Sequence, residues 1–271
     1  MVTAAANVLV CAGLDPSGGA GLLADAHVIT ACGARPCGAI TAQTVQSSQG
    51  VSAVVPVNSK LLRAQLDALT SDMTFAAVKI GMLGSIEVAQ AIVGALASVA
   101  APVVWDPVAM PTRGDSPLFR GNFADAVTLF SSLRDVLITP NAVELATLVG
   151  RPLNDSAATR AAAVELAHAT GMQVFVKGGH LTGTEVTDAL VERVGALDAP
   201  ANAFHVVEFT APRLATPPGG VHGTGCAAAS AIAAHLARGA KLADACQLAQ
   251  VYVRRAIAAP VQAGRGTPSV V

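Results

Sequence analysis

Short apolar runs of strand character alternate with helical stretches along most of the chain, and this alternation restricts the fold more than any other feature. Asn7–Ala12, Arg35–Thr44, Ala77–Ile80, Val103–Asp106, Val136–Thr139 and Gln173–Lys177 read as strands. Gly21–Ala31, Ser59–Leu69, Ile86–Ser98, Ala142–Leu148, Ala157–Ala169, Gly225–Ala237 and Leu242–Ile257 read as helices. Such alternation implies right-handed crossovers and a mostly parallel sheet covered by helices on both faces. The expected architecture is therefore a three-layer α/β/α sandwich, with one domain over residues 1–260.

The rhythm breaks between Thr182 and Gly220. Ala189–Arg193 and Ala203–Phe209 have β character and are joined by Gly and Pro segments, so they read as hairpins at a sheet edge. A run of Pro217, Pro218, Gly219 and Gly220 then leads to the last helices. Residues 261–271 are expected to form a flexible tail.

Composition removes several function classes. The chain has 271 residues, of which 52% are hydrophobic and 13% charged, with a net charge of −1. Disorder needs low hydrophobicity and high net charge. Nucleic-acid binding and attraction to anionic lipid both need a basic excess, which is absent here. The mean hydropathy of +0.54 raises the question of a membrane span. However, the most apolar stretch, Val88 to Trp105, is interrupted by Gln90, Gly94, Ser98 and Pro102 and reads as a helix followed by a strand. No basic segment precedes the first apolar run, so a cytoplasmic protein is expected. Cys11, Cys32, Cys37, Cys226 and Cys246 show no paired spacing and are expected as free thiols.

Ligands of parallel sheets sit beyond the carboxyl ends of the strands. The first strand ends in GLDPSGGAG, Gly13 to Gly21, which runs directly into a helix. Glycines there let the backbone approach a ligand, although a tight structural turn uses them equally well. Gly19, Gly21 and Ala24 also fit a dinucleotide pattern, but no acidic residue occurs between Asp25 and Asp67 to hold the ribose, and no GK[ST] completes a P-loop. A second glycine run, Gly223, Thr224, Gly225 and Cys226, opens an alanine-rich helix and could present backbone N–H groups as an anion hole. In the first turn Cys226 would feel the helix dipole, which favours thiolate; the alternative is a small packing residue.

Charged residues are scarce enough to stand out. Asn141 and Glu144 in ITPNAVE have capping-box spacing, yet Glu144 could also face Mg²⁺ through water. Of four lysines, Lys60, Lys79, Lys177 and Lys241, two lie at strand ends, and Lys177 before Gly178 and Gly179 could meet phosphate oxygens. Asp106 ends VVW before Pro107 and suits either a metal or a turn. Gln46, in the segment after the second strand, can donate and accept toward a nitrogen heterocycle.

Seven segments, GLDPSGGAGLLAD, TAQTVQSSQGV, VKIGML, VVWDPVA, LITPNAVEL, VFVKGGHL and HGTGCAAASAIAA, occur in this order over roughly residues 8–258. Together they resemble the hydroxymethylpyrimidine/phosphomethylpyrimidine kinases of thiamine biosynthesis, in the ribokinase-like superfamily. The resemblance implies Mg²⁺- and ATP-dependent phosphorylation of 4-amino-5-hydroxymethyl-2-methylpyrimidine and then of its monophosphate. It implies an anion hole at Gly223, Thr224, Gly225 and Cys226, with Cys226 placed as base for the first step. Gly13, Asp15, Ala20, Gln46, Met82 and Val108 match substrate positions. Asn141 and Lys177 match nucleotide positions, and Asp106 and Glu144 match the metal region. It also implies a homodimer acting on small molecules. Alternatives on the same scaffold are a pyridoxal or pyridoxine kinase and a non-catalytic pyrimidine-binding protein. This chain departs from the family pattern in PPGGVHGTGC, in AAAS beyond the cysteine and in the loop after Asp106, changes that bear on nucleotide affinity and loop dynamics.

Overall fold

The computed structural model describes residues 6–109, 117–194 and 204–271. Residues 110–116 of the loop beyond Asp106, and Ala203 at the start of the second expected hairpin strand, lie outside these. The elements run β1 (Asn7–Leu14), α1 (Gly21–Ala31), β2 (Arg35–Ser47), β3 (Gly50–Pro56), α2 (Ser59–Asp72), β4 (Ala77–Ile80), β5 (Gly84–Ser85), α3 (Ile86–Leu96), β6 (Val103–Trp105) and β7 (Phe119–Arg120). There follow α4 (Phe123–Ser131), β8 (Val136–Ile138), α5 (Ala142–Val149), α6 (Ser156–Thr170), β9 (Gln173–Val176), β10 (Glu185–Arg193), β11 (Phe204–Pro212), α7 (Thr224–Ala237) and α8 (Leu242–Ala258).

Nine strands form one sheet in the order β11-β10-β9-β8-β6-β4-β1-β2-β3. The six inner strands, β9 through β2, pair in parallel, whereas β3, β10 and β11 run antiparallel at the two edges. The three-layer arrangement follows from side-chain alternation along strands buried on both faces. In β1, Leu9 and Cys11 pack with Leu66, Ile92, Phe130 and Leu166 on one side. Val8, Val10 and Ala12 pack with Val28, Ile232 and Ala249 on the other. Helix α7 buries every residue from Ala227 to Ala234, and its small side chains bring it close against β1, β4 and β6.

Three sequence expectations change. Strand β2 does not end at Thr44 but runs to Ser47, where it turns into the antiparallel β3. Gln46 therefore sits within a strand, at a register shift between Val45 and Gln46, because the sheet edge captures the segment as a hairpin. Helix α4 appears where no element was expected, capped by the Asn122 side chain accepting from the Ala124 N–H. The C-terminal segment is not a loose tail: Ser269 bridges both Val261 and His222, and Val270 is buried among Val28, Ile29 and the alanines of α7. An apolar end with a place in the core gains more from burial than from fraying.

Candidate active site

Strand β1 lies between β2 and β4, where the chain order reverses direction across the sheet, and the loops leaving β1 and β4 diverge there. A cavity of about 640 Å³ opens at this point and extends past the ends of β6 and β9 to the start of α7. It is lined by Gly13, Asp15, Ala20, Gln46, Met82, Asp106, Val108, Asn141, Glu144, Lys177, Gly223, Thr224, Gly225 and Cys226, so every site residue expected from sequence reaches one space. Its volume suits a nucleotide and a small ring together.

The two glycine runs meet at its centre. Gly223 caps α7 at φ +83°, and a Cβ there would lie 2.2 Å from the Gly19 carbonyl oxygen. Gly21, at φ +61°, is equally tight against the Gly13 carbonyl oxygen. Both positions require glycine, and the result is an α7 N-terminus seated on the β1–α1 turn. No side chain caps α7, which leaves N–H groups of its first turn free for an anion. A Cβ on Gly225 would lie 3.1 Å from Lys177 Nζ and 3.7 Å from Asp106 Oδ2, so the positive end of the helix directly faces a lysine and a carboxylate.

Lys177 Nζ donates to Asp106 Oδ1 at 2.6 Å and lies 4.0 Å from Glu144 Oε2. Glu144 also completes the capping box of α5: its Oε2 accepts from the Asn141 N–H at 2.7 Å, while Asn141 Oδ1 accepts from the Val143 and Glu144 N–H groups. The capping box is present, and it fixes a carboxylate at the cavity wall. Burial pushes Glu144 up to about 7, aided by the nearby Asp106 charge and opposed by Lys177 and the Asn141 N–H. Attraction to Asp106 and Glu144 raises Lys177 despite the opposing effect of its burial, so it stays cationic. Among the described residues no group of three or more His, Cys, Asp or Glu forms a metal cage. Two carboxylates beside an anion hole do fit Mg²⁺, which keeps most of its waters and shares phosphate oxygens.

Cys226 does not behave as its helix position suggests. Although its residue surface is only partly covered, its thiol is surrounded by protein, and desolvation pushes it to about 12. Lys79 and a Gly21 backbone hydrogen bond pull the value down, but Asp106 and Asp25 push it further up. The expected thiolate is therefore a neutral thiol, because burial outweighs the dipole. Lys79 and Asp25 lie beneath it as a buried ion pair that sequence reasoning missed.

At the opposite end of the cavity, Gln46 Oε1 accepts from Thr44 Oγ1 at 3.2 Å, and Gln46 Nε2 lies 3.5 Å from His222 Nε2. His222 Nε2 is also 3.5 Å from Asp15 Oδ2. Burial tends to raise Asp15, but His222 and the hydrogen bonds from Ser17 outweigh it and hold the carboxyl below its ordinary value. Met82 lies against Gly13, where a Cβ would fall 2.2 Å from its Cε, and so forms an apolar floor beside this polar edge. His222 was visible only as the residue before the second glycine run; its meeting with Asp15 depends on the packing of α7 on the β1–α1 turn.

Residues 15–271 match the family model of phosphomethylpyrimidine kinase. The chain is 37% identical over 255 residues to the hydroxymethylpyrimidine/phosphomethylpyrimidine kinase of Rhizobium meliloti, covering 94% of this chain and 91% of that protein. The crystal structure of phosphomethylpyrimidine kinase from Clostridium difficile superposes with a TM-score of 0.75 at 31% identity, over 93% of this chain and 99% of that one. An ADP complex of Bacillus subtilis pyridoxal kinase superposes with a TM-score of 0.81 at 26% identity, over 97% and 95% of the two chains.

Proposed function

The chain belongs to the phosphomethylpyrimidine kinase family, and from that premise we propose how its cavity phosphorylates 4-amino-5-hydroxymethyl-2-methylpyrimidine, and then the monophosphate, in thiamine biosynthesis. The observation that carries this reading is the meeting, in one cavity, of an uncapped glycine-started helix, the Lys177–Asp106 pair and the Gln46 edge. ATP is the phosphoryl donor. Its terminal phosphates lie at the N-terminus of α7, where the N–H groups of Thr224, Gly225 and Cys226 surround the transferring group. Lys177 leaves its resting partner Asp106 to meet phosphate oxygens, and Asn141 holds the nucleotide side through α5. Mg²⁺, when bound, neutralises charge across the donor's phosphates; Asp106 and Glu144 would hold it through water.

The pyrimidine lies against Met82 and Val108, with Gly13 and Ala20 admitting it closely and Gln46 pairing with its ring nitrogen and amine. Asp15, kept ionised, accepts from the amine. This orientation aims the hydroxymethyl oxygen at the anion hole. The hydroxymethyl oxygen bonds to the terminal phosphorus as the bond to ADP breaks, and its proton passes late to an oxygen of the transferring phosphoryl group. Such a loose transition state depends mainly on positioning and charge, so a neutral Cys226 thiol does not prevent it. In the second step the substrate phosphate is already an ionised nucleophile and needs no base.

A coupled assay of ADP release under Mg²⁺-ATP, run with the pyrimidine, its monophosphate and pyridoxal, tests the reading. Turnover with the two pyrimidines supports it, and a kcat/KM that favours pyridoxal replaces it with the B6 alternative. That alternative has likeness of fold in its favour, whereas sequence identity favours the pyrimidine kinases. The reading extends to a cytoplasmic homodimer that acts on small molecules alone. Among the described residues no helix is long and apolar enough to cross a membrane, and sedimentation tests the assembly.

A further inference from the structure

The C-terminal segment reaches the cavity wall at Thr267. Its inner side is tied to the residue before the anion hole: the His222 N–H donates to the Pro268 carbonyl at 2.8 Å, and the Val270 N–H donates to the His222 carbonyl at 3.1 Å. Its outer side is tied to the β2–β3 turn, two residues past Gln46. There the Thr267 N–H donates to the Ser48 carbonyl at 3.0 Å, and the Gly266 N–H donates to Ser48 Oγ at 3.1 Å. The approach is close enough that a Cβ on Gly266 would fall 1.9 Å from the Ser48 carbonyl oxygen. The segment also reaches the first glycine run, since a Cβ on Gly19 would lie 3.0 Å from His222 Cδ2, 3.3 Å from Ser269 Cβ and 3.7 Å from Asp15 Oδ2.

One polar atom at this wall lacks a hydrogen-bond partner, and a second has only a long one. Thr267 Oγ1 is buried and unbonded, and Oδ2 of Asp15, a residue only 3% exposed, has His222 Nε2 at 3.5 Å as its neighbour and no shorter hydrogen bond; both residues line the cavity. A buried polar atom left unbonded is costly, and in a ligand cavity the natural partner is a polar atom of the ligand. We propose that Thr267 is a specificity-determining residue of the heterocycle subsite, its hydroxyl completing with Asp15 and Gln46 the polar frame around an aminopyrimidine. The backbone strap that carries Thr267 fixes His222 in the same frame. The phosphate-facing groups Lys177, Asp106 and Glu144 make none of these contacts, so Thr267 selects the acceptor and not the nucleotide. This inference rests on the pyrimidine-kinase reading above.

Steady-state kinetics of the wild type, Thr267→Val and Thr267→Ser with 4-amino-5-hydroxymethyl-2-methylpyrimidine and ATP test it, alongside calorimetric binding of the pyrimidine alone. Valine keeps the shape and removes the hydroxyl. Thr267→Val is expected to raise KM for the pyrimidine about tenfold and weaken its binding equally, as loss of one hydrogen bond does, with KM for ATP within about twofold. Thr267→Ser should stay close to the wild type. An unchanged pyrimidine KM in Thr267→Val overturns the inference, as does an equal rise in both KM values, which would mark the strap as structural only. If valine lowers Tm, Thr267→Ala is read by the same ratio of KM values. A wild type that neither binds nor phosphorylates the pyrimidine overturns the substrate reading itself, and this inference with it, and is distinguished from the other failures by the wild-type control.

Discussion

Lys79 Nζ lies 2.6 Å from Asp25 Oδ2 with both side chains fully excluded from solvent, and Ser230 Oγ donates to the other carboxylate oxygen at 2.8 Å. Burial alone would lower Lys79, but the attraction of Asp25, with a smaller contribution from Asp106, raises it. Burial raises Asp25 as well, against the pull of Lys79 and Ser230, and the 2.6 Å contact with a second hydrogen bond from Ser230 is the geometry of an ionised pair. It joins β4, α1 and α7 directly beneath the anion hole. Removing one partner leaves an uncompensated charge, so Lys79→Met or Asp25→Asn should each lose about 3–5 kcal/mol in denaturant unfolding. The double variant Lys79→Met/Asp25→Leu should recover most of that loss. Single variants within about 1 kcal/mol of the wild type would show that the pair is not ionised.

This pair also marks the limit of what the sequence discloses. AVKI reads as a buried strand, and a lysine inside it conflicts with that reading unless a counter-charge is found; Asp25, 54 positions earlier, is identifiable only once α1 packs over β4. Asp106, Asn141, Glu144 and Lys177 were legible because a parallel sheet brings the carboxyl ends of its strands to one edge, so sequence position implied spatial position. Gln46 was placed beyond its strand because polar alternation at an exposed sheet edge looks like a loop. The strap at Thr267 had no signal at all: one short Gly- and Pro-containing segment has no periodicity, and its partners Ser48 and His222 are distant in the chain.

Cys226 with a thiol near 12 holds almost no thiolate at neutral pH. Loss of a working general base costs about 10²–10⁴ in rate. Cys226→Ala should instead slow both phosphorylations by a similar factor of less than about 10. Iodoacetamide labelling of Cys226 should remain slow from pH 7 to pH 9. A selective loss of the first step by 10²-fold or more would restore the base assignment.

Lys177 Nζ lies 3.1 Å from where a Cβ on Gly225 would stand, at the start of α7, and its two ion-pair partners among the described residues are both carboxylates. Lys177→Met removes a charge that faces the transferring group, so kcat should fall about 10²–10³-fold, as when a preorganised electrostatic contact is lost. KM for the pyrimidine should change less than about threefold. Lys177→Arg should not rescue, because a forked guanidinium cannot occupy the place of a compact ammonium 2.6 Å from Asp106. A large rise in pyrimidine KM with kcat preserved would move Lys177 to the acceptor side.

Glu144 makes stability depend on pH with a definite sign. Its carboxyl titrates near 7 in the folded chain against an ordinary value of 4.5, because burial disfavours the anion more than Lys177 favours it. The folded state therefore holds a proton that the unfolded state releases. The stabilising contribution is complete below about pH 4.5, declines as pH rises, and is gone above about pH 7. Glu144→Gln keeps the acceptor for the Asn141 N–H and cannot ionise. In EDTA it should be more stable than the wild type at pH 8, by about 1–3 kcal/mol given a shift of this size. The difference should shrink steadily toward pH 5, since the wild-type carboxyl is then protonated in the folded state. Thermal melts of both proteins at intervals across this range decide the matter: parallel curves mean that Glu144 is ionised throughout, and curves that converge from pH 8 toward pH 5 mean that the capping carboxylate carries its proton until ligand or metal displaces it.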